Sequence, residues 1–192
     1  LCNENDNLEN ASIYFNRLLV EKFDHKYDLI WFLNSIGNIY EEKGDYDTAL
    51  KYYNRSLELS NGIDDKYMFE DNLTFIGIIY SYQGYHEKAL DIFNKSLKIA
   101  EELDDNEWIE IAVNNIGWVY YLKQDYEKAV EHLEKSLAIQ KEIGGSSALP
   151  LWTSTHLYLI YTHLDKEYNM EEIHRLIKET KHIEFDLNYR LF

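Results

Sequence analysis

The sequence predicts an all-α chain built from antiparallel helix pairs, and three observations carry that expectation. Three segments align without gaps, "LNSIGNIYEEKGDYDTALKYYNRSLEL" from residue 33, "LTFIGIIYSYQGYHEKALDIFNKSLKI" from 73 and "VNNIGWVYYLKQDYEKAVEHLEKSLAI" from 113, so the period is 40 residues. Each segment holds two apolar patterns of helical spacing, separated by a short polar turn such as "KGD" at 43–45. Glycine recurs at one register of the first pattern and alanine at one register of the second. Helices joined by so short a turn become antiparallel neighbours.

In chain order, residues 8–23, "LENASIYFNRLLVEKF", align with 46–61 at an offset of 38, which places Ala11 on Ala49 and Phe15 on Tyr53. This reads as a second helix whose first helix would lie upstream of Leu1. A first residue other than methionine points the same way, to a piece of a longer chain. Residues 29–61 form repeat 1. Leu33, Ile36, Gly37 and Tyr40 share one face of its first helix, and Ala49, Tyr53, Ser56 and Leu57 the matching face of its second. At 60–65, "SNGIDD" is the junction, with Gly62 as helix stop and an Asp as the next N-cap.

Repeat 2 covers 69–102, with Leu73, Ile76, Gly77 and Tyr80 against Ala89, Phe93, Ser96 and Leu97. Repeat 3 covers 109–142, with Val113, Ile116, Gly117 and Tyr120 against Ala129, Leu133, Ser136 and Leu137. After Gly144 and Gly145, residues 148–183 read as a degenerate fourth pair. Pro150 opens its first helix, and Leu157 or Tyr158 replaces the glycine, depending on register. Ile173 falls near the alanine place, and 184–192 is a tail. The whole of 1–192 is expected to form one such array.

A glycine inside a helix costs about 1 kcal/mol relative to alanine. Its recurrence at 37, 77 and 117 is therefore read as a packing requirement, glycine and alanine meeting where the paired helices cross.

The pattern resembles the tetratricopeptide repeat: a small residue at the eighth position, an aromatic at the eleventh and Ala at the twentieth, here Gly37, Tyr40, Ala49; Gly77, Tyr80, Ala89; Gly117, Tyr120, Ala129. The period of 40 departs from the usual 34, and the proline that ends the second helix is missing. In this the repeats look like those of kinesin light chains and related adaptor and signalling proteins. The resemblance implies a right-handed superhelical solenoid with a concave groove lined by the first helices.

If the resemblance holds, the groove positions of repeat 1 are Trp31, Asn34, Asn38 and Glu41. Those of repeat 2 are Asp71, Thr74, Ile78 and Ser81, those of repeat 3 Ile111, Asn114, Trp118 and Tyr121, and Trp152, Thr155 and Thr162 continue them. Asparagine amides can pair with the main chain of an extended peptide, and tryptophan and tyrosine are common anchors. Against this, aromatics along a helix also fill the space between repeats, and Asn34 and Asn114 can equally bond to neighbouring helices. Both readings stand at this stage. Some relatives hold a carboxylate tail with Lys and Arg in the groove; the corresponding Asn34, Asn38, Phe75, Ile111 and Asn115 lack the basic members.

A formal net charge of −16 disfavours nucleic acid and anionic membranes, whose binding needs Lys and Arg. It favours basic or neutral protein partners. No apolar run approaches the ~20 residues that span a bilayer, and no signal peptide opens the chain, so a soluble, cytoplasmic protein is expected. The seven histidines are scattered and Cys2 is alone, so neither a metal site nor another cofactor is indicated. No phosphate loop or nucleophile elbow appears. The expectation is a non-enzymatic module that binds an extended or helical segment of a partner. The alternative is the sensory or regulatory repeat region of a larger signalling or transcription-regulating protein, as in some bacterial pheromone receptors. Self-association through exposed ends is a further possibility, on apolar residues such as Leu8, Ile13 and Phe15.

Overall fold

The computed structural model describes residues 26–61, 66–144 and 149–167 and the single positions Glu171 and Arg175; of 149–152 it describes the backbone. The expected helix at 8–23, the Gly62 junction, the second helix of the fourth pair and the tail lie outside the described residues.

Among the described residues the chain is helical, with α1 Lys26–Glu42, α2 Tyr46–Asn61, α3 Lys66–Tyr82, α4 His86–Leu103, α5 Asn106–Leu122, α6 Tyr126–Ile143 and α7 Leu149–His163. It divides into two compact units, residues 1–92 and 93–192, the division falling inside α4. In the first, α1 packs on α2 and α2 on α3; in the second, α5 packs on α6 and α6 on α7.

Local chemistry sets the helix ends. Asp105 caps α5, its Oδ1 accepting from the N–H groups of Glu107 at 3.1 Å and Trp108 at 3.3 Å, which satisfies donors with no partner inside the helix. Asp45 does the same for Thr48 on α2, and Asp125 for Lys128 on α6. Each first helix closes with one residue in the left-handed region and a six-to-one backbone bond. The residues are Gly44 (φ +74°), Gly84 (φ +78°), Gln124 (φ +61°) and Asp165 (φ +53°). The bonds run from Asp45 N–H to Tyr40 O, Tyr85 N–H to Tyr80 O, Asp125 N–H to Tyr120 O and Lys166 N–H to Tyr161 O, at 2.8–3.0 Å.

That last turn settles the register of the fourth pair. Tyr161 stands where Tyr120 stands, an offset of 41 rather than 40, so Tyr158 takes the place of Gly117. Leu157 and Ile160, both fully buried, then match Ile116 and Val119.

Gly37 and Gly117 are buried as expected, but the crossing differs in detail from a glycine–alanine meeting. A Cβ on Gly37 would run into the ring of Tyr53, 2.7 Å from Cδ1 and 2.8 Å from Cζ; one on Gly117 would lie 2.9 Å from Leu133 Cγ. The missing side chain makes room for the large residue four places after the alanine. Ala49 and Tyr53 pack with Ile76 and Ile79 of α3, and Ala129 and Leu133 with Leu157 and Ile160 of α7, so α2 ties α1 to α3 and α6 ties α5 to α7.

Candidate functional site

Antiparallel pairing puts α1 and α2 in a fixed relation: Ser56 Oγ donates to Ile30 O near one end and the Tyr53 hydroxyl reaches Asn38 and Glu41 nearer the other. Of the expected groove residues of the first unit, Trp31 is 69 % exposed and Asn38 is exposed. Asn34, Asp71, Thr74 and Ile78 are half-buried. Ser81 is buried and bonds back to Gly77 O at 2.9 Å. The structure joins Asn38 and Glu41 through one buried phenol, 2.6 Å from Asn38 Oδ1 and donating to Glu41 Oε2 at 2.7 Å. Burial first, then the charges of Glu41 and Glu42, push that phenol far above its ordinary range. Tyr82 packs against Tyr46 of α2 in a tilted pair, ring centroids 5.9 Å apart. Burial first, then Glu41 and Tyr46, raise the Tyr82 phenol as well.

The second unit is built differently. Trp118 is half-buried, stacked on Tyr121 at 5.1 Å and edge-on to His156 of α7 at 4.9 Å, so this tryptophan packs between α5 and α7 with part of its surface exposed. Tyr121 also meets His156 and Tyr126, and Tyr126 stacks flat on His163 at 5.2 Å. Ile111 and Thr155 are half-buried.

Asn114 is placed deeper than the others. It is 2 % exposed, and its amide donates to Ser136 Oγ at 3.2 Å and Thr153 Oγ1 at 2.5 Å. Both bonds run to neighbouring helices, Ser136 on α6 and Thr153 on α7. The same network reaches Glu110, 3 % exposed, whose Oε1 accepts from Ser136 Oγ at 2.6 Å. Burial pushes the Glu110 carboxyl up to about 7; the Ser136 bond pulls it down and Glu107 adds to the rise.

Tyr53, Tyr82 and Glu110 were not candidates from the sequence. One signal was present: Tyr53 stands where Phe93 and Leu133 stand, so repeat 1 alone carries a hydroxyl at that core register. Among the described residues no group of three His, Cys, Asp or Glu side chains is placed to hold a metal ion, and no helix is long and apolar enough to cross a membrane.

Comparison with known proteins gives family matches over more than half the chain. Two family models, both described as tetratricopeptide repeat, match residues 30–61 and 70–142. No curated protein matches the sequence. Among solved structures, a Rap protein complexed with competence and sporulation factor is similar at a TM-score of 0.76 and 20 % identity, over 96 % of this chain and 52 % of that one. Bacillus thuringiensis PlcR, in complex with the peptide PapR7 and DNA, is similar at 0.71 and 22 %, over 90 % of this chain and 62 % of that one. A putative kinesin light chain of Podosopora anserina with TPR-like repeats is similar at 0.67 and 13 %, over 92 % and 88 %. At these identities the likeness shows the fold alone: stacked antiparallel helix pairs.

Proposed function

This chain belongs to the tetratricopeptide repeat family, and from that premise we propose that it is a non-enzymatic protein-interaction module. It binds an extended or helical peptide segment of a partner along its first-helix faces. The contacts come from Trp31, Asn34, Asn38, Asp71, Thr74 and Ile78 in the first unit and from Ile111, Trp118, Tyr121 and Thr155 in the second. Asn114 stays with them as the residue that bonds the helices carrying those contacts. The observation that carries the reading is Trp31, a tryptophan 69 % exposed on a helix at a register the family uses for ligands. Leaving so large an aromatic surface in water is unfavourable, and such side chains are frequent anchors of binding.

The acid-rich composition favours a basic or neutral segment and faster association at low salt. Two of the similar structures hold peptide or factor, by their own descriptions a competence and sporulation factor and PapR7. These support the alternative of a sensory repeat region in a larger regulatory protein, since the chain spans 52 % and 62 % of those two proteins.

The test is selection from a fully randomised heptapeptide library, followed by affinity measurement on Trp31→Ala and Trp118→Ala. Each substitution should weaken the selected peptides by about tenfold or more, the size of a hot-spot truncation. Unchanged affinity in the double variant would remove the first-helix faces from consideration.

A further inference from the structure

We infer that Asn38, Glu41 and the exposed ring of Tyr82 form a subsite for a cationic side chain of the bound peptide, with the buried Tyr53 hydroxyl as its positioning group. This rests on the peptide-binding reading above and adds the chemistry of one contact. Three observations meet there. Tyr53 is fully buried in the core, stacked on Phe75 at 5.0 Å, and its ring fills the space left by Gly37, so its hydroxyl is fixed in place. That hydroxyl holds Glu41 Oε2 at 2.7 Å and the Asn38 amide at 2.6 Å, which orients two polar side chains of one helix face before any ligand arrives. One phenol proton serves one acceptor. The chain is fully satisfied with the proton on Glu41 and the Asn38 amide turned to present Nδ2 to the phenol oxygen, leaving Asn38 Oδ1 as an acceptor for a ligand.

The aromatic component comes from α3. Tyr82 is 42 % exposed and braced against Tyr46, while Gln83 Nε2, bonded to Asp47 Oδ1 at 3.2 Å, pins the end of α3 to the start of α2. Tyr46 opens α2 directly after the turn that closes α1, so its partner Tyr82 lies at the end of the pair that carries Glu41, and the Glu41 charge raises the Tyr82 phenol. A carboxylate and the electron-rich face of a tyrosine at one end of a helix pair both favour an ammonium or guanidinium. The protein uses the cation–tyrosine contact internally: Lys88 sits over Tyr85 at 4.8 Å. The arrangement occurs once in the repeats. The places of Asn38, Glu41 and Tyr53 are taken by Ile78, Ser81 and Phe93 in repeat 2 and by Trp118, Tyr121 and Leu133 in repeat 3.

The experiment uses the same randomised heptapeptide library, then the tightest Arg-containing peptide and its twin with citrulline, a neutral isostere, in place of the arginine. The full chain should enrich Arg or Lys at one peptide position and prefer arginine to citrulline roughly tenfold, the combined size of an exposed ion pair and a cation–π contact. Tyr53→Phe keeps the ring and loses the hydroxyl; it should erase most of that preference while leaving citrulline affinity unchanged, which a purely structural role would not do. Glu41→Gln gives the same reading without touching the core, should Tyr53→Phe unfold. Peptides that bind wild type with no cation enriched, or equal arginine-to-citrulline ratios in wild type and both variants, overturn the subsite and leave the module reading intact. A library that yields no binder at all overturns both.

Discussion

Gly37→Ala adds one methyl group at the tightest point of the first helix pair. By intrinsic propensity the change should help, since alanine is favoured over glycine in a helix by about 1 kcal/mol. The structure reverses the sign. The new Cβ would lie 2.7–2.8 Å from Cδ1 and Cζ of Tyr53 and closer still to Cε1. Ordinary carbon contacts are about 3.5 Å or more, so ring or helix must retreat by at least about 0.7 Å. The ring cannot swing aside without releasing Glu41 and Asn38 at its hydroxyl or Phe75 on its face. Overpacking of this kind costs about 1–3 kcal/mol, and loss of a hydrogen bond to a charged group about 1.5–3. After the propensity gain, a net destabilisation of about 1–3 kcal/mol remains. At roughly 2–4 °C per kcal/mol for a chain of this size, Tm should fall by about 2–12 °C, with a matching drop in the urea midpoint. Gly44→Ala separates clash from backbone strain, because Gly44 has φ +74° and no atom near its Cβ position; it should cost only the roughly 1–2 kcal/mol of a left-handed alanine. An unchanged or raised midpoint for Gly37→Ala would refute the claim that Tyr53 occupies the space of the missing side chain.

Asn114→Ala should destabilise by about 1–3 kcal/mol in chemical denaturation, because Ser136 and Thr153 lose a buried partner; a cost near zero would return this residue to the solvent-facing reading. Glu110 gives a pH dependence with a definite sign. Its carboxyl rises from 4.5 to about 7 in the fold, so the folded state holds the proton more tightly; its contribution is fully present below about pH 4.5 and is lost as pH rises towards 7. The upper bound is about 3 kcal/mol, reduced by solvent screening, and Glu110→Gln should flatten the profile over that window; parallel profiles for the two proteins would exclude it. Asp105→Ala should cost about 1 kcal/mol through the uncapped N–H groups of Glu107 and Trp108, read as a lower Tm, and Asp105→Asn should restore most of it.

Much of the helix-pair architecture was legible because the period repeats. Gly37, Gly77 and Gly117, the aromatic three places later and the alanine twelve places later recur in register, and a turn such as "KGD" has one economical way to close a helix. The fourth pair was not, since no glycine marks it and Leu157 and Tyr158 are both apolar enough for the same place. Its register emerged only from the bond between Lys166 N–H and Tyr161 O. Among the site residues, exposure separated what spacing had grouped. Asn34 and Asn114 share a register, yet the second is locked by Ser136 and Thr153, whose hydroxyls lie on two other helices.

Over the described residues the sequence by itself determined which segments are helices, which of their faces are apolar and which residues of the three marked repeats stand at equivalent places, because these follow from spacing along one chain and from the conformational limits of glycine, asparagine and aspartate. Only the tertiary structure decided that Gly37 yields to a phenol rather than to an alanine, that Tyr53 gathers Asn38 and Glu41, and that Glu110 is buried against Ser136. Those outcomes depend on how far apart side chains from different helices come to rest, a distance that packing sets and periodicity does not contain.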